Sequence, residues 1–297
     1  MSTSTNQTQH PALRGMHTSI VGIVANGLLA IIKGLTGYWG HSYALIADAI
    51  ESTLDIFSSL VVWWGLKIAT VPPDKNHPYG HGKAEPLAAM IVSGGLFGAA
   101  LLIAYNSVRE IFIPHHTPEA YTLFVLIGVI VTKEILFRFV FKTGKEVDSI
   151  AVKTDAWHHR SDALTSLAAF IGISIALIGG KAYACADDWA ALFASFIIGF
   201  NSFRLFRPTL DELMDAAPLT GIREEVLKIA QKVEGVVRLD KCYVRKMGFD
   251  FYVDLHVMVD PMISVDQGHA IAHNVKDAIQ SSNPRIADVI THIEPAV

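Results

Sequence analysis

Residues 44–71 read ALIADAIESTLDIFSSLVVWWGLKIATV. A hydrocarbon core of roughly 30 Å needs about 20 mainly apolar residues in a helix, and this run is long enough to cross it. It nevertheless holds three acids, Asp48, Glu51 and Asp55. A charge at the bilayer centre costs about 2.5–3.5 kcal/mol on insertion scales, so three uncompensated acids imply something like 8–10 kcal/mol. A lipid-facing helix does not tolerate that, so the acids require partners inside a helical bundle.

Similar apolar runs cover residues 16–39, 84–113, 120–141, 150–178 and 188–206, which with 42–71 makes six expected transmembrane helices. Only 18% of the 297 residues are charged, against about a quarter in an average soluble domain, and the mean hydropathy is +0.37. The reading is an α-helical membrane protein. Lysine and arginine gather on alternate loops, as cytoplasmic loops require: Arg14 before the first span, Lys67, Lys75 and Lys83 after the second, Arg138, Lys142, Lys145 and Lys153 after the fourth, Arg204 and Arg207 after the sixth. Arg109 and Lys181 are all that the opposite side offers. Both termini are therefore expected in the cytoplasm, with the chain in the cell (inner) membrane.

Three segments follow. Residues 1–13 are expected to be a disordered tail, since they lack the basic and apolar regions of a secretory signal. Residues 14–208 form the membrane domain, and residues 209–297 a cytoplasmic one. In the latter, a helix at 222–233, strands at 236–245 and 249–259, a helix at 265–281 and a strand at 287–293 make an αββαβ series, a small two-layer α/β domain. A core that small gains from dimerisation. The net charge of −4, without a basic run, excludes nucleic acid as a partner. Cys185 and Cys242 belong to no paired-cysteine metal motif.

The partners for the acids come from the fifth span, where residues 155–166 read DAWHHRSDALTS. Glu51 and Asp55 are four residues apart, as are His158 and Asp162, so each pair shares one helical face. Two such helices facing each other supply three carboxylates and one imidazole, a tetrahedral set that suits zinc. Asp48, one turn before Glu51, is a further ligand or a group that orients one. The competing reading makes these residues structural ion pairs, with Lys33 and Lys133 as counter-ions. Lys133 has Glu134 beside it, which weakens that reading.

ADAIESTLDIFSS (47–59), DKNHPYGHGKAEPLAAMIVSG (74–94) and AWHHRSDALTS (156–166) occur in this order. In these motifs the chain resembles the cation diffusion facilitator family, from about Met16 to Pro295. The resemblance implies a homodimer with a ferredoxin-like, metallochaperone-like cytoplasmic domain, exporting a divalent metal in exchange for protons. It implies a transport site at Glu51, Asp55, His158 and Asp162; the first position is more usually Asp or His in that family. Zinc is the expected cargo and regulatory ion, with manganese, ferrous iron, cadmium or cobalt as alternatives.

Asp74, His77 and His81 form a three-ligand candidate in the loop after the second span, where Gly80 and Gly82 free the backbone. The resemblance implies metal binding there, and a salt bridge between Lys83 and Asp215 near the dimer interface. It also implies a regulatory metal site at Asp240, His256, His269, His292 and Glu294, while His273 reads as a solvent-facing helix residue. His115 and His116 lie in an outer loop and receive no role. Metal and protons compete for the same ligands, so exchange needs no covalent chemistry and the chain is not expected to be an enzyme or to hold a catalytic cofactor. A proton-uncoupled channel is the mechanistic rival. An intramembrane metalloprotease is disfavoured, because no H-E-x-x-H motif is present.

Overall fold

The computed structural model describes residues 11–39, 43–112, 121–179, 186–218 and 221–296. It divides into two compact units, Met1–Thr209 and Leu210–Val297. Six helices occupy the described part of the first: α1 (Pro11–Trp39), α2 (Tyr43–Ala69), α3 (Ala84–Ile111), α4 (Thr122–Glu146), α5 (Ile150–Gly179) and α6 (Ala186–Leu213). Segments Pro11–Ile32, Ala84–Arg109 and Trp189–Leu213 are long and apolar enough to cross a membrane by length and composition alone. Large apolar side chains such as Ile20, Val24, Leu28, Phe97, Phe124, Phe196 and Phe200 point outward, a surface that water disfavours and lipid accepts.

Two ends differ from expectation. The first helix is described from Pro11, inside the stretch expected as a tail. The sixth helix runs through Pro208 instead of ending near 206. Pro208 has no N–H to give to the Arg204 carbonyl one turn back, and the Thr209 hydroxyl donates to the next carbonyl, that of Leu205, at 3.0 Å.

Paired aromatics hold α4 against α5. Phe137 lies 5.2 Å from Phe141 and 5.6 Å from Trp157 between ring centroids, and the Arg160 guanidinium sits 4.4 Å from the Phe137 centroid. Lys133, Phe137 and Phe141 recur at intervals of four, so the same face of α4 that packs on α5 also presents Lys133.

The second unit contains α7 (Ile222–Ala230), β1 (Arg238–Met247), β2 (Asp250–Val259), α8 (Val265–Ser282) and β3 (Ile286–Pro295). The sheet order is β1-β2-β3, with β1 antiparallel and β3 parallel to the central strand. Phe251, Val253, Leu255, Val257 and Val259 alternate into a core shared with Val226 and Ala230 of α7 and Val275 and Ile279 of α8. The ferredoxin-like αββαβ fold follows from that period of two. A capping box starts α8: the Gln267 amide N–H donates to Ser264 Oγ at 3.2 Å, and the Ser264 N–H to Gln267 Oε1 at 2.9 Å.

Candidate metal centre

In α5, Asp155, His158 and Asp162 stand at intervals of three and four on one face. In α2, Asp55 and Ser59 stand four apart. The two faces meet in antiparallel register: the Ser59 hydroxyl donates to Asp155 Oδ1 at 3.0 Å, and one turn away His158 Nε2 lies 3.0 Å from Asp55 Oδ1. Antiparallel packing is what two membrane helices with two further crossings between them, α3 and α4, must adopt. One ligand atom from each of Asp55, His158 and Asp162 lies within 4.8 Å of the others, close enough for one ion to join them. Asp55 is 4% exposed. Asp48 and Glu51 belong to α2, but their side chains, like that of Lys33, lie outside what the structure describes.

Lys133 corrects the sequence reading. Its Nζ donates to Asp55 Oδ2 at 2.5 Å and to Asp162 Oδ2 at 2.8 Å. Adjacent residues on a helix point apart, so the neighbouring Glu134 was never its partner. Glu134 accepts instead from Arg138, one turn on, at 2.8 Å. Sequence reasoning also passed over Asp155 and His159, both fully buried beside this cluster. Asp155 could have been found, since it falls three residues before His158 on the ligand face. Gly22 of α1 faces His159: a Cβ there would lie 3.2 Å from His159 Nε2 and 3.3 Å from Ser59 Oγ, which explains a residue without one.

The loop before α3 gathers Asp74, His77 and His81. Asp74 Oδ1 accepts from the backbone N–H groups of Asn76 at 2.8 Å and His77 at 2.7 Å, an Asx-type turn. His77 Nδ1 and His81 Nε2 approach the same carboxylate at 3.4 and 3.5 Å. His81 Nδ1 lies 3.4 Å from the Val71 carbonyl, so the ring is oriented through its second nitrogen, as metal-ligating imidazoles are. Gly80 has φ 82, the left-handed turn that brings His81 back over Asp74.

The backbone hydrogen bond from His77 holds the Asp74 carboxyl below the usual carboxylate range. A lowered folded value means that the turn's extra stability is present above the ordinary carboxylate pKa and is lost as pH falls through the lowered value. Amide exchange over residues 74–81, taken relative to the unprotected rate at each pH, is therefore expected to stay slow through about pH 4 and to speed up at more acid pH. In Asp74→Ala it should be fast throughout, and equal exchange in variant and parent would remove the carboxylate from this role.

In the second unit the strand register builds a third cluster. His256 pairs directly with His292, and Met258 with Glu294, so His256, His292 and Glu294 share the sheet face away from α7 and α8. His256 Nδ1 lies 2.7 Å and His292 Nε2 3.5 Å from Glu294 Oε1. The hydrogen bond from His256 holds the Glu294 carboxyl below its ordinary value. Two expected members are not drawn in. The His269 ring packs edge-on against His273 at 4.5 Å, and both side chains are exposed on α8. Asp240 falls in the register shift between Leu239 and Cys242 and lines a separate cavity with Arg223, Cys242 and Asp254. Burial pushes the Cys242 thiol up, away from a metal-binding thiolate. Lys83 leads into α3, and Asp215 follows α6 with φ 58; they belong to different units. Cys185, His115 and His116 lie outside the described residues.

Paired helices presenting carboxylates and imidazole from an apolar bundle, joined to a ferredoxin-like domain, define a membrane transporter of metal cations. The models for the cation efflux transmembrane domain and the cation efflux protein cytoplasmic domain match residues 19–214 and 219–296, and the chain belongs to the cation efflux, or cation diffusion facilitator, family. The manganese efflux system protein MneP of Bacillus subtilis is 32% identical over 93% of this chain and 95% of its own length. Metal tolerance protein C1 of Arabidopsis thaliana is 33% identical, covering 98% of this chain and 64% of that protein. The magnetosome protein MamB of Paramagnetospirillum magneticum is 29% identical over 90% of each chain. A solved MamM CTD variant is 28% identical over 26% of this chain and 95% of its own, with a TM-score of 0.25. The chain is a divalent metal efflux transporter and not an enzyme.

Proposed function

We propose that the protein is a homodimeric antiporter of the cell membrane, with both termini cytoplasmic, exporting a divalent transition-metal ion in exchange for protons by alternating access. The observation that carries this reading is the convergence of Asp55 on α2 with His158 and Asp162 on α5 inside the helical unit. Glu51, four residues before Asp55, is the fourth ligand in this reading, and Asp48 a further ligand or an orienting group. A proton and a metal ion use the same lone pairs, so an ion released outside is replaced by protons that return inward. Each returning charge is driven by the membrane potential, about 2.3 kcal/mol per 100 mV, together with the pH difference.

Zinc accepts tetrahedral nitrogen and oxygen ligands. Manganese or ferrous iron has equal support, because carboxylate oxygens favour the harder ions and MneP is named for manganese efflux. The loop cluster and the His256, His292 and Glu294 cluster fit accessory metal sites. Metal drawing two cytoplasmic domains together would shift the population toward the competent dimer.

Flux of zinc, manganese, ferrous iron and cadmium into proteoliposomes under an imposed pH gradient tests the reading, beside Asp162→Ala. Flux of at least one ion is expected to rise with the gradient and to collapse in the variant. Flux indifferent to the gradient would identify a channel, and unchanged flux in Asp162→Ala would dismiss the assigned site.

A further inference from the structure

Lys133 occupies the carboxylates that the transport reading assigns to the metal. Its ammonium bonds Asp55 Oδ2 at 2.5 Å and Asp162 Oδ2 at 2.8 Å, with a side chain 1% exposed. Asp55 is thereby divided, one oxygen toward His158 and the other toward Lys133. Both acids of the described cluster already hold a cation, and that cation is covalently part of α4.

A divalent ion bonded to these oxygens at about 2.0–2.2 Å would come within a few ångströms of Nζ. A doubly and a singly charged cation at that separation, in a site from which most water is excluded, repel far more strongly than in solution. The two therefore cannot share the acids in their present arrangement. Lysine suits an exchange of this kind, because its ammonium is a compact point charge on a flexible four-carbon stem.

Resting on the transport reading, we propose that the Lys133 ammonium is a tethered competitor for the transported cation: the arriving metal displaces it from Asp55 and Asp162, and its return helps to expel the metal. The consequence is a site that stays assembled when empty, since the ammonium prevents the Asp55 and Asp162 carboxylates from repelling each other. It is also a site whose affinity is held down. A transporter needs both, because an ion that binds too tightly does not leave.

A purely structural ion pair makes the opposite prediction. Breaking a buried pair leaves unpaired charge and destabilises its surroundings, so a structural Lys133 would leave a looser site with weaker metal binding after substitution. A competitor leaves a tighter one. The shape-conserving Lys133→Met and the polar Lys133→Gln are the informative variants, with Lys133→Arg retaining a charge that is less able to withdraw.

The experiment is manganese and zinc binding to the full-length protein by calorimetry, with concentration-dependent flux in proteoliposomes, for the parent, the three variants and Asp162→Ala. Lys133→Met or Lys133→Gln, whichever elutes as folded protein, is expected to bind metal at least about tenfold more tightly, roughly 1.4 kcal/mol. The half-saturating concentration and the maximal flux should fall together, and Lys133→Arg should keep the parental affinity or a weaker one. Unchanged or weaker binding in the folded neutral variant would overturn the inference while leaving the transport site intact, provided that parental flux persists and Asp162→Ala abolishes it. Undiminished flux in Asp162→Ala would instead remove the site reading, and the competitor role with it.

Discussion

Replacing Asp55 with asparagine is expected to reduce metal flux at least about a hundredfold. Asp55 accepts hydrogen bonds on both oxygens, from His158 Nε2 on one and from the Lys133 ammonium on the other. An asparagine has one acceptor oxygen and one donor amide. If the oxygen stays with Lys133, the amide faces His158 and ties up the imidazole lone pair that a metal needs. If the oxygen turns to His158, the amide confronts the ammonium donor to donor, and Lys133 keeps only Asp162. Removing one partner of a buried charged pair typically costs 3–5 kcal/mol, and 3 kcal/mol is already more than a hundredfold in an equilibrium constant. Flux in proteoliposomes checks the loss, with thermal unfolding of the same preparation to separate it from collapse of the fold. Flux above about a tenth of the parental value in a folded variant would show that Asp55 is not a ligand.

The parts of this site that the sequence disclosed are those fixed by helical period. Glu51 with Asp55, and His158 with Asp162, are visible because an interval of four places two side chains on one face whatever the tertiary structure. The αββαβ order was legible for the same kind of reason: β2 alternates strictly, and alternation is local. Lys133 was not legible, because the identity of a partner on another helix depends on which faces pack. The Phe137–Trp157 contact, on the face of α4 that also carries Lys133, joins residues on different helices. Asp240 comes from the family resemblance and not from a strand pattern, and its position relative to the other cluster residues was not legible either. A strand pattern fixes which side chains share a face only while the register is regular, and the shift between Leu239 and Cys242 breaks it. The end of α6 was not legible because its last turns, from Arg207 to Leu213, are polar and carry no membrane signal.

Glu85 is expected to be the strongest determinant of stability outside the metal cluster, although the sequence marks it only as an acid in the first turn of a helix. It is fully buried. Its Oε1 accepts from the Ser149 hydroxyl at 2.7 Å and from the Ala151 backbone N–H at 3.0 Å, and Ser149 Oγ in turn accepts from the Val152 N–H at 3.2 Å. One carboxylate of α3 thus satisfies the amide end of α5, where orphan N–H groups and the positive end of the helix dipole favour an anion. Glu85→Ala removes the acceptor and strands buried donors at once, a loss of about 2–4 kcal/mol. Glu85→Gln keeps an acceptor oxygen without the charge and should lose roughly half as much. Ser149 lies nine residues before His158, about 13 Å along the helix at 1.5 Å per residue, so this cap anchors the helix that presents His158 and Asp162. Thermal unfolding should therefore fall in the order parent, Glu85→Gln, Glu85→Ala, with metal flux following the same order although Glu85 is no ligand. A Glu85→Ala protein that melts with the parent would mean that Ser149 caps α5 unaided. One that is destabilised but transports normally would separate the anchoring of α5 from the geometry of its ligands.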